Sequence, residues 1–263
     1  MENEALTLSW PAPDVALITL TRGSEMNTLT HALLDGMEQA LDGLRDRKVR
    51  ALVITGSGRA FCCGAHLDYF IEDQMGDEAQ FRLRDTYLDR IARVFDRLEE
   101  QPFPVIAAIN GYALGGGCEL ALSCDFRIMS REARIGLPEV KLGAIAGAGG
   151  VQKLARHVGR SKALEWILLA THVTAEEAER RGLLYAIAEP DRVLEEALAL
   201  TEKIRALSPR AIAQSKTSIY LAEETDLRSA RRYGLEALSL LIGSRDWQTG
   251  MAAFHAKRKP AFD

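Results

Sequence analysis

A chain of 263 residues with 47% hydrophobic and 27% charged residues can form one large globular domain, or a core with an appended helical bundle. Its formal net charge of −4 gives no electrostatic reason to bind nucleic acid or an anionic membrane. No apolar run has the length needed to cross a bilayer, and the N-terminal stretch MENEALTLSW lacks the charged and apolar regions of a signal peptide. We therefore expect a cytoplasmic protein that binds neither nucleic acid nor membrane.

The cysteines indicate a reducing environment. They occur as an adjacent pair, Cys62 and Cys63, and as Cys118 and Cys124. This spacing is neither that of zinc ligands nor that of a disulfide framework, so we interpret them as reduced thiols that pack in the interior. Cys118 adjoins the candidate site described below, but no histidine close to it in the sequence would activate it as a nucleophile.

The first part of the chain alternates strands with a helix. The runs LTLSW and VALITL predict two paired strands joined by a turn at residues 11–14. Thr30 is predicted to begin a helix with one apolar face, and residues 51–55 form the next buried strand. This ββα rhythm returns further along the chain and predicts an α/β fold built on a parallel or spiral sheet.

A tight bend is predicted in the segment AFCCGAHLDYF. Gly64 permits the bend, and a short helix is predicted to start near His66, which would leave the N–H of Ala65 free. A polar loop at residues 73–78 and a long helix with Phe81 on its buried face are expected next. The aromatic residues of this region either line a pocket or belong to the core: Tyr69, Phe70 and Tyr87.

The stretch from Asn110 to Gly143 carries the strongest functional pattern. It follows an apolar strand, PVIAAI, and contains consecutive glycines at 115–117, where a helix is predicted to begin. The unpaired N–H groups and the dipole at the start of such a helix favour an oxygen that becomes negative during a reaction. Glu119 lies in the first turn of this helix, and Glu139 follows after a second turn. Two carboxylates beside backbone donors are suited to moving protons next to an enolate.

Each of these features also has an ordinary interpretation. Consecutive glycines commonly form only a turn, an acid in a first helical turn commonly interacts only with the dipole, and glutamate after proline is commonly a solvated loop residue. The functional interpretation depends on their combination. The segment GAIAGAGG lacks the GK[ST] of a phosphate loop, and no GxGxxG follows a strand, so nucleotide binding through those motifs is not expected.

Several linked motifs resemble the enoyl-CoA hydratase/isomerase (crotonase) family. NGYALGGGCELALSCDFRI resembles its central signature, and GLPEVKLG followed by GAGGVQKLARHVG resembles its second. RAFCCGAHL resembles the family's first oxyanion segment, and MAAFHAKRKPAF resembles its terminal helix. The resemblance implies a crotonase spiral of repeated ββα units with the acyl-CoA site in residues 1–190. It also implies a helical C-terminal region in residues 191–263 that builds a homotrimer or, from paired trimers, a homohexamer.

The resemblance also implies roles for individual residues. The N–H groups of Ala65 and Gly116 would bind the thioester oxygen of an acyl-CoA substrate. Glu119 would orient the attacking water, and Glu139 would exchange the proton at C2. Coenzyme A is then part of the substrate, and no separate cofactor or metal is implied. The residues expected to contact the substrate are Cys63, Ala65, His66, Leu67, Asp68, Gly116, Phe254 and Lys257.

A few of these positions have more than one interpretation. His66 stands where most members have Asp, which is a better helix cap. It therefore changes the loop, places an imidazole near the acyl chain, or is a partly exposed residue without a chemical role. Ala146 stands where members usually have Pro, which implies a less rigid turn. Phe254 and Lys257 match positions that reach coenzyme A on a neighbouring subunit, but the charge of Lys257 equally suits the end of a helix.

The retained acid pair favours hydration of an enoyl-CoA, because double-bond isomerases of the family typically keep a single acid. The alternatives are an isomerase, decarboxylase or thioester hydrolase that uses the same amides, and a non-catalytic member that binds acyl-CoA or RNA. The acidic charge balance disfavours RNA. A serine hydrolase is also disfavoured, because the sequence has no GxSxG motif and Ser57 and Ser123 have no evident base.

Overall fold

The computed structural model describes residues 4–71 and 78–262 of an α/β protein. The predicted polar loop at 73–78 lies outside the described residues except for its last residue. The strands are β1 (Leu6–Ala12), β2 (Val15–Leu20), β3 (Ala51–Gly56), β4 (Ala60–Cys62), β5 (Val105–Ile109), β6 (Tyr112–Leu114), β7 (Phe126–Ser130), β8 (Arg134–Gly136), β9 (Val173–Thr174) and β10 (Ala186–Ala188). The helices are α1 (His31–Leu44), α2 (Ala79–Leu83), α3 (Asp89–Glu99), α4 (Gly116–Leu122), α5 (Gly150–Val158), α6 (Arg160–Leu168), α7 (Ala175–Arg180), α8 (Val193–Arg205), α9 (Pro209–Glu224), α10 (Leu227–Leu241) and α11 (Arg245–His255).

The strands form two sheets between which the chain alternates. The larger sheet has the order β1-β2-β3-β5-β7-β10 and is parallel except for the hairpin of β1 and β2. The smaller sheet has the order β4-β6-β8-β9, in which β4, β6 and β8 are parallel. Each of the pairs β3–β4, β5–β6 and β7–β8 runs from the larger sheet into the smaller one and is followed by a helix or helical turn. This is the repeated ββα unit of the fold.

Helices cover both faces of the larger sheet. β5 is therefore buried along its whole length, as its apolar run VIAAI predicts for an inner strand of a parallel sheet. α1 and α3 belong to the main core cluster, whereas α8 packs on the opposite face. There α8 shares a second core cluster with residues from neighbouring strands of the sheet, which are Leu17, Val53, Ile106 and Ile128.

A buried lysine ties α9 to the core. Lys216 Nζ pairs with Asp125 Oδ2 at 2.8 Å. It also donates to the carbonyl oxygens of Leu98 and Phe103 at 3.2 Å each, so the buried ammonium is fully hydrogen-bonded. The predicted boundary at residue 190 falls between β10 and α8. None of the described helices is long and apolar enough to cross a membrane.

Differences from the expected elements have identifiable causes. The strands β4, β6, β8, β9 and β10 were not predicted, because two or three residues show no periodicity of their own. The expected long helix is divided into α2, a π-helical turn at Arg84–Leu88, and α3. The extra residue of that turn rotates the preceding helix face by about 100°. The prediction that Phe81 is buried is therefore wrong, since its side chain is 53% exposed.

Candidate active site

The ends of neighbouring parallel strands bring the predicted site together. In the smaller sheet Cys62 pairs with Ala113, and Leu114 pairs with Gly136, so β4, β6 and β8 end at the same edge. The turns that follow parallel strands emerge together at that edge, where sites commonly form in α/β proteins. The predicted residues on these turns are, in chain order, Ala65, Gly116 and Glu139.

The backbone amides of Ala65 and Gly116 lie close to each other. A Cβ atom added to Gly116 would lie 3.6 Å from the Ala65 nitrogen, and one added to Gly64 would lie 2.7 Å from the Gly116 nitrogen. Gly64 and Gly115 have φ angles of +83° and +57°, which glycine adopts without strain. In the described part of the chain neither amide donates a hydrogen bond to a protein group. Two unpaired N–H groups at this spacing are suited to an oxygen that gains negative charge.

Glu119 is buried in the first turn of α4, with 4% of its surface exposed. Its Oε1 accepts the N–H of Ala148 at 2.7 Å and the N–H of Gly150 at 2.9 Å. No hydrogen bond among the described residues involves Oε2, so that oxygen is free to bind a ligand or water. Burial raises the pKa of Glu119, although the two N–H bonds and the charge of Lys153 lower it in part.

Glu139 begins the helical turn Glu139–Leu142 after β8 and is half-buried. Its Oε1 lies beside Gly115, since a Cβ added to that glycine would be 3.2 Å from the oxygen. Its Oε2 is buried and has no hydrogen-bond partner among the described residues. Burial raises the pKa of Glu139; its own backbone N–H lowers the pKa, and the charge of Glu119 raises it again. Glu119 and Glu139 therefore interact electrostatically next to the amide pair.

The side chain of His66 connects the loop after Ala65 to the segment before α1. This residue precedes the helical turn Leu67–Phe70, and its side chain makes no capping hydrogen bond, as expected for histidine. Its Nδ1 lies 3.1 Å from Thr28 Oγ1, and its Nε2 lies 3.4 Å from Oδ2 of the exposed Asp68. The imidazole thus contacts its own loop and the segment before α1.

The other residues predicted to contact the substrate differ in exposure. Cys63 is half-buried, whereas Leu67 is 57% exposed. Phe254, near the end of α11, is 75% exposed, and Lys257 follows that helix with a φ of +51°. In the described part of the chain no hydrogen bond or ion pair joins Phe254 or Lys257 to the residues at the strand ends. The contact of Phe254 and Lys257 with coenzyme A on a neighbouring subunit stays a prediction.

The buried cysteines are protonated. Burial raises the pKa of Cys62 and Cys124 to about 12, and it raises the pKa of Cys118 as well. A thiol that keeps its proton is a poor nucleophile, so Cys118 is inert despite its position next to Glu119. Within the described ranges no group of histidine, cysteine and acidic side chains is arranged to hold a metal ion.

The amides that hold Glu119 were not predicted from the sequence. Ala148 and Gly150 belong to the segment GAIAGAGG, which only tertiary packing places against α4. A Cβ added to Gly150 would lie 2.7 Å from Glu119 Cγ and 2.9 Å from its Oε1. A side chain at Gly150 would occupy the position of the carboxylate. The glycine run was therefore the one feature of the sequence that could have indicated a close approach of this segment to another group.

Gly64→Ala is expected to destabilise the protein by more than the ordinary cost of placing alanine in the left-handed backbone conformation. That conformation costs about 1–2 kcal/mol for a residue with a Cβ, and here the Cβ would also press on the Gly116 nitrogen at 2.7 Å. Gly182→Ala is the matched control, because Gly182 has a φ of +75° with no atom within 4 Å of the added Cβ. Urea unfolding should show a loss for Gly64→Ala larger than for Gly182→Ala by about 1–3 kcal/mol. Equal losses of unfolding free energy in the two variants would show that the turn of Gly64 is not tightly packed against the turn of Gly116.

Comparisons with known proteins identify the family of the chain. The family model described as "Enoyl-CoA hydratase/isomerase" matches residues 12–263. The chain is 41% identical over 249 residues to a Rhizobium meliloti protein named "Probable enoyl-CoA hydratase", covering 94% of each chain. It is 37% identical over 249 residues to the "2,3-dehydroadipyl-CoA hydratase" of Escherichia coli, again covering 94% of each. A crystal structure of an enoyl-CoA hydratase from Bacillus anthracis superposes with a TM-score of 0.91 at 35% identity, covering 98% of this chain and 99% of the other.

An α/β spiral of this kind defines a class of proteins that act on acyl-CoA thioesters. The chain belongs to the enoyl-CoA hydratase/isomerase family. The predicted fold class and the predicted family are therefore confirmed.

Proposed function

We propose that this protein is an enoyl-CoA hydratase, a hydro-lyase that adds water reversibly across the 2,3 double bond of an enoyl-CoA thioester. The observation that carries the proposal is the convergence of Glu119 and Glu139 on the unpaired amides of Ala65 and Gly116. The names of the Rhizobium meliloti and Escherichia coli relatives, both hydratases, support the same reaction.

The amide pair supplies the electrophilic half of the mechanism. The N–H groups of Ala65 and Gly116 bind the thioester oxygen, which makes C3 more electrophilic and stabilises the enolate that forms when water adds. A preorganised donor of this kind contributes about 2.7–4 kcal/mol to transition-state stabilisation. The donors need no side chain, so the turn glycines Gly64 and Gly115 serve to bring the backbone close to the substrate.

The two glutamates supply the proton transfers. Ionised Glu119, with Oε1 held by two amides, orients water through Oε2 and takes its proton as the oxygen bonds to C3. The electron pair of the double bond moves onto the thioester, and protonated Glu139 then gives its proton to C2. One turnover thus leaves Glu119 protonated and Glu139 ionised, and exchange with solvent restores both. Dehydration follows the reverse path.

Substrate binding and assembly form part of the proposal. Cys63 to Asp68 lie along coenzyme A, which is part of the substrate, and no separate cofactor takes part. Phe254 and Lys257 reach coenzyme A bound to a neighbouring subunit of a homotrimer or of a homohexamer made from two trimers, in the cytoplasm. The strong exposure of apolar side chains on α10 supports assembly through the C-terminal helices. These side chains are Leu227, Leu235 and Leu240, at 81%, 62% and 80% exposed.

Activity is expected to depend on pH through two groups with raised pKa values. Burial raises the pKa of Glu119 and of Glu139 above the ordinary 4.5. As pH falls through the raised pKa of Glu119, this base becomes protonated and kcat/KM falls. As pH rises through the raised pKa of Glu139, this acid loses its proton and kcat/KM falls again. A profile of kcat/KM for crotonyl-CoA at constant ionic strength should therefore show its acid limb above pH 4.5. An acid limb at or below that value would contradict the assignment.

The test of the proposed reaction is turnover of a panel of enoyl-CoA thioesters that differ in chain length and branching, followed by mass spectrometry. Hydration adds the mass of one water, isomerisation leaves the mass unchanged, decarboxylation removes carbon dioxide, and thioester hydrolysis releases free coenzyme A. A time-dependent gain of one water on at least one 2-enoyl-CoA is expected. Conversion by any of the other reactions without hydration would reject the proposal.

A further inference from the structure

Tyr87 is a fully buried tyrosine whose hydroxyl lies next to the loop that carries Ala65. The hydroxyl oxygen accepts the N–H of His66 at 2.8 Å, and the O–H donates to the carbonyl oxygen of Leu29. Both partners are backbone groups. The hydroxyl therefore joins the loop after β4 to the segment before α1, and it holds the peptide group between Ala65 and His66.

A second hydrogen bond holds the peptide on the other side of Ala65. The N–H of Leu29 donates to the carbonyl oxygen of Gly64 at 2.8 Å. That carbonyl and the Ala65 N–H belong to one planar peptide group and point in opposite directions. The bond from Leu29 therefore turns the Ala65 N–H away from the segment before α1. With both adjoining peptides held, the direction of the unpaired Ala65 N–H is determined by its neighbours.

We propose that Tyr87 is a positioning residue for the Ala65 amide: its hydroxyl holds the Ala65–His66 peptide so that the Ala65 N–H is directed at the thioester oxygen. This inference rests on the proposed function, in which that amide binds the substrate oxygen. Tyr87 acts through the backbone, because its hydroxyl binds the main-chain groups of His66 and Leu29.

The surroundings of Tyr87 keep its hydroxyl in place. Its ring makes edge contacts with Tyr69, Phe70 and His31, at centroid distances of 5.1, 6.1 and 5.2 Å. It is carried by the π-helical turn Arg84–Leu88, a feature that is frequent at functional sites. Burial raises the pKa of Tyr87, so the hydroxyl keeps its proton and remains a donor.

The test is Tyr87→Phe, which removes one oxygen and keeps the ring. The readout is the carbonyl stretch of bound butyryl-CoA labelled with carbon-13 at C1, recorded by isotope-edited infrared spectroscopy. Tyr87→Phe should lose at least about half of the frequency decrease that the wild-type protein causes, and kcat for crotonyl-CoA should fall about tenfold to hundredfold, with KM changed by less than about threefold. Tyr233→Phe is the matched control, because it removes a hydroxyl bonded to Gln214 at 2.8 Å elsewhere in the chain; it should match wild type.

A second pair of variants tests the same hydrogen bond from its other end. His66→Pro removes the N–H that binds Tyr87 and puts the proline Cδ against the Tyr87 hydroxyl, which lies 2.8 Å from that nitrogen, while the φ of −77° at His66 suits proline. His66→Ala keeps that N–H and reports the loss of the imidazole alone, so it should retain more of the carbonyl shift than His66→Pro. In the Tyr87→Phe background, where no hydroxyl opposes the proline ring, His66→Pro should add no further loss, because both changes break the same bond. These variants also keep the inference testable if Tyr87→Phe does not fold.

The outcomes separate the inference from the proposed function, because butyryl-CoA has no double bond to hydrate. A wild-type protein that shifts the carbonyl stretch but hydrates no enoyl-CoA would reject the hydratase and leave the role of Tyr87 standing. Full carbonyl shift and full kcat in Tyr87→Phe, even with reduced thermal stability, would show that the hydroxyl is only structural and overturn the inference. Butyryl-CoA bound to wild type without any shift would overturn both.

Discussion

Glu139→Gln is expected to abolish hydration of crotonyl-CoA, with kcat reduced by at least about a thousandfold. Glutamine has nearly the same shape, so the turn after β8 and the amides of Ala65 and Gly116 keep their positions. It cannot donate a proton to C2 and recover it from solvent, and this transfer is the role that the proposed mechanism gives to Glu139. Steady-state hydration of crotonyl-CoA measures the loss, and calorimetric titration with butyryl-CoA measures whether the acyl-CoA still binds.

The affinity for butyryl-CoA should stay within about threefold of wild type, since the variant removes a group that acts in the transition state. Glu132→Gln is the matched control, because Glu132 is an exposed acid in the turn between β7 and β8 of the same ββα unit. It should leave kcat unchanged. Near-normal turnover by Glu139→Gln would reject the assigned proton transfer, and a joint loss of turnover and binding would show that the substitution disrupts the site instead.

Glu119→Gln is expected to reduce kcat by at least about a thousandfold as well, without loss of stability. The side-chain carbonyl of glutamine can accept the N–H groups of Ala148 and Gly150 as Glu119 Oε1 does. It cannot accept a proton from water. Because burial raises the pKa of Glu119, the ionised form destabilises the fold above that pKa. A neutral side chain removes this cost, so urea unfolding at pH 7 should show a variant at least as stable as wild type.

Glu119→Ala provides the contrast that separates charge from hydrogen bonding. It leaves the buried N–H groups of Ala148 and Gly150 without an acceptor, which costs about 1–3 kcal/mol for each unsatisfied group. We expect Glu119→Ala to lose both turnover and stability, whereas Glu119→Gln loses turnover alone. Equal destabilisation of the two variants would show that the ionised carboxylate stabilises this site. Wild-type turnover by Glu119→Gln would exclude Glu119 as the base.

Local signals in the sequence were sufficient where an element depends on its own residues. Thr30 was predicted to begin α1, and its side chain accepts the N–H of Leu33 at 3.2 Å. The apolar run before Asn110 was predicted as a buried strand, and α4 begins within the predicted glycine run, at Gly116. Caps, turns and periodic apolar faces act over a few residues, so they can be recognised without knowledge of the fold.

Features that depend on distant contacts were missed. The short strands β8, β9 and β10 exist because they pair with neighbours that come from elsewhere in the chain. Phe81 was placed on the wrong face because the π-helical turn after α2 changes the helical phase. The bond from Tyr87 to His66 spans 21 residues and carries no periodic signal.

The sequence alone therefore determined the groups that the protein has available, which are a glycine turn that frees backbone amides and two glutamates on successive turns. It also showed the resemblance to a family of enzymes that act on acyl-CoA. These follow from residue types and short spacings. Only the tertiary structure decided that the turns after β4, β6 and β8 meet, that Ala148 and Gly150 hold Glu119 across about thirty residues of chain, and that Tyr87 holds the Ala65 loop. The physical reason is that sheet register and side-chain packing set these distances, and both arise from residues far apart in the sequence.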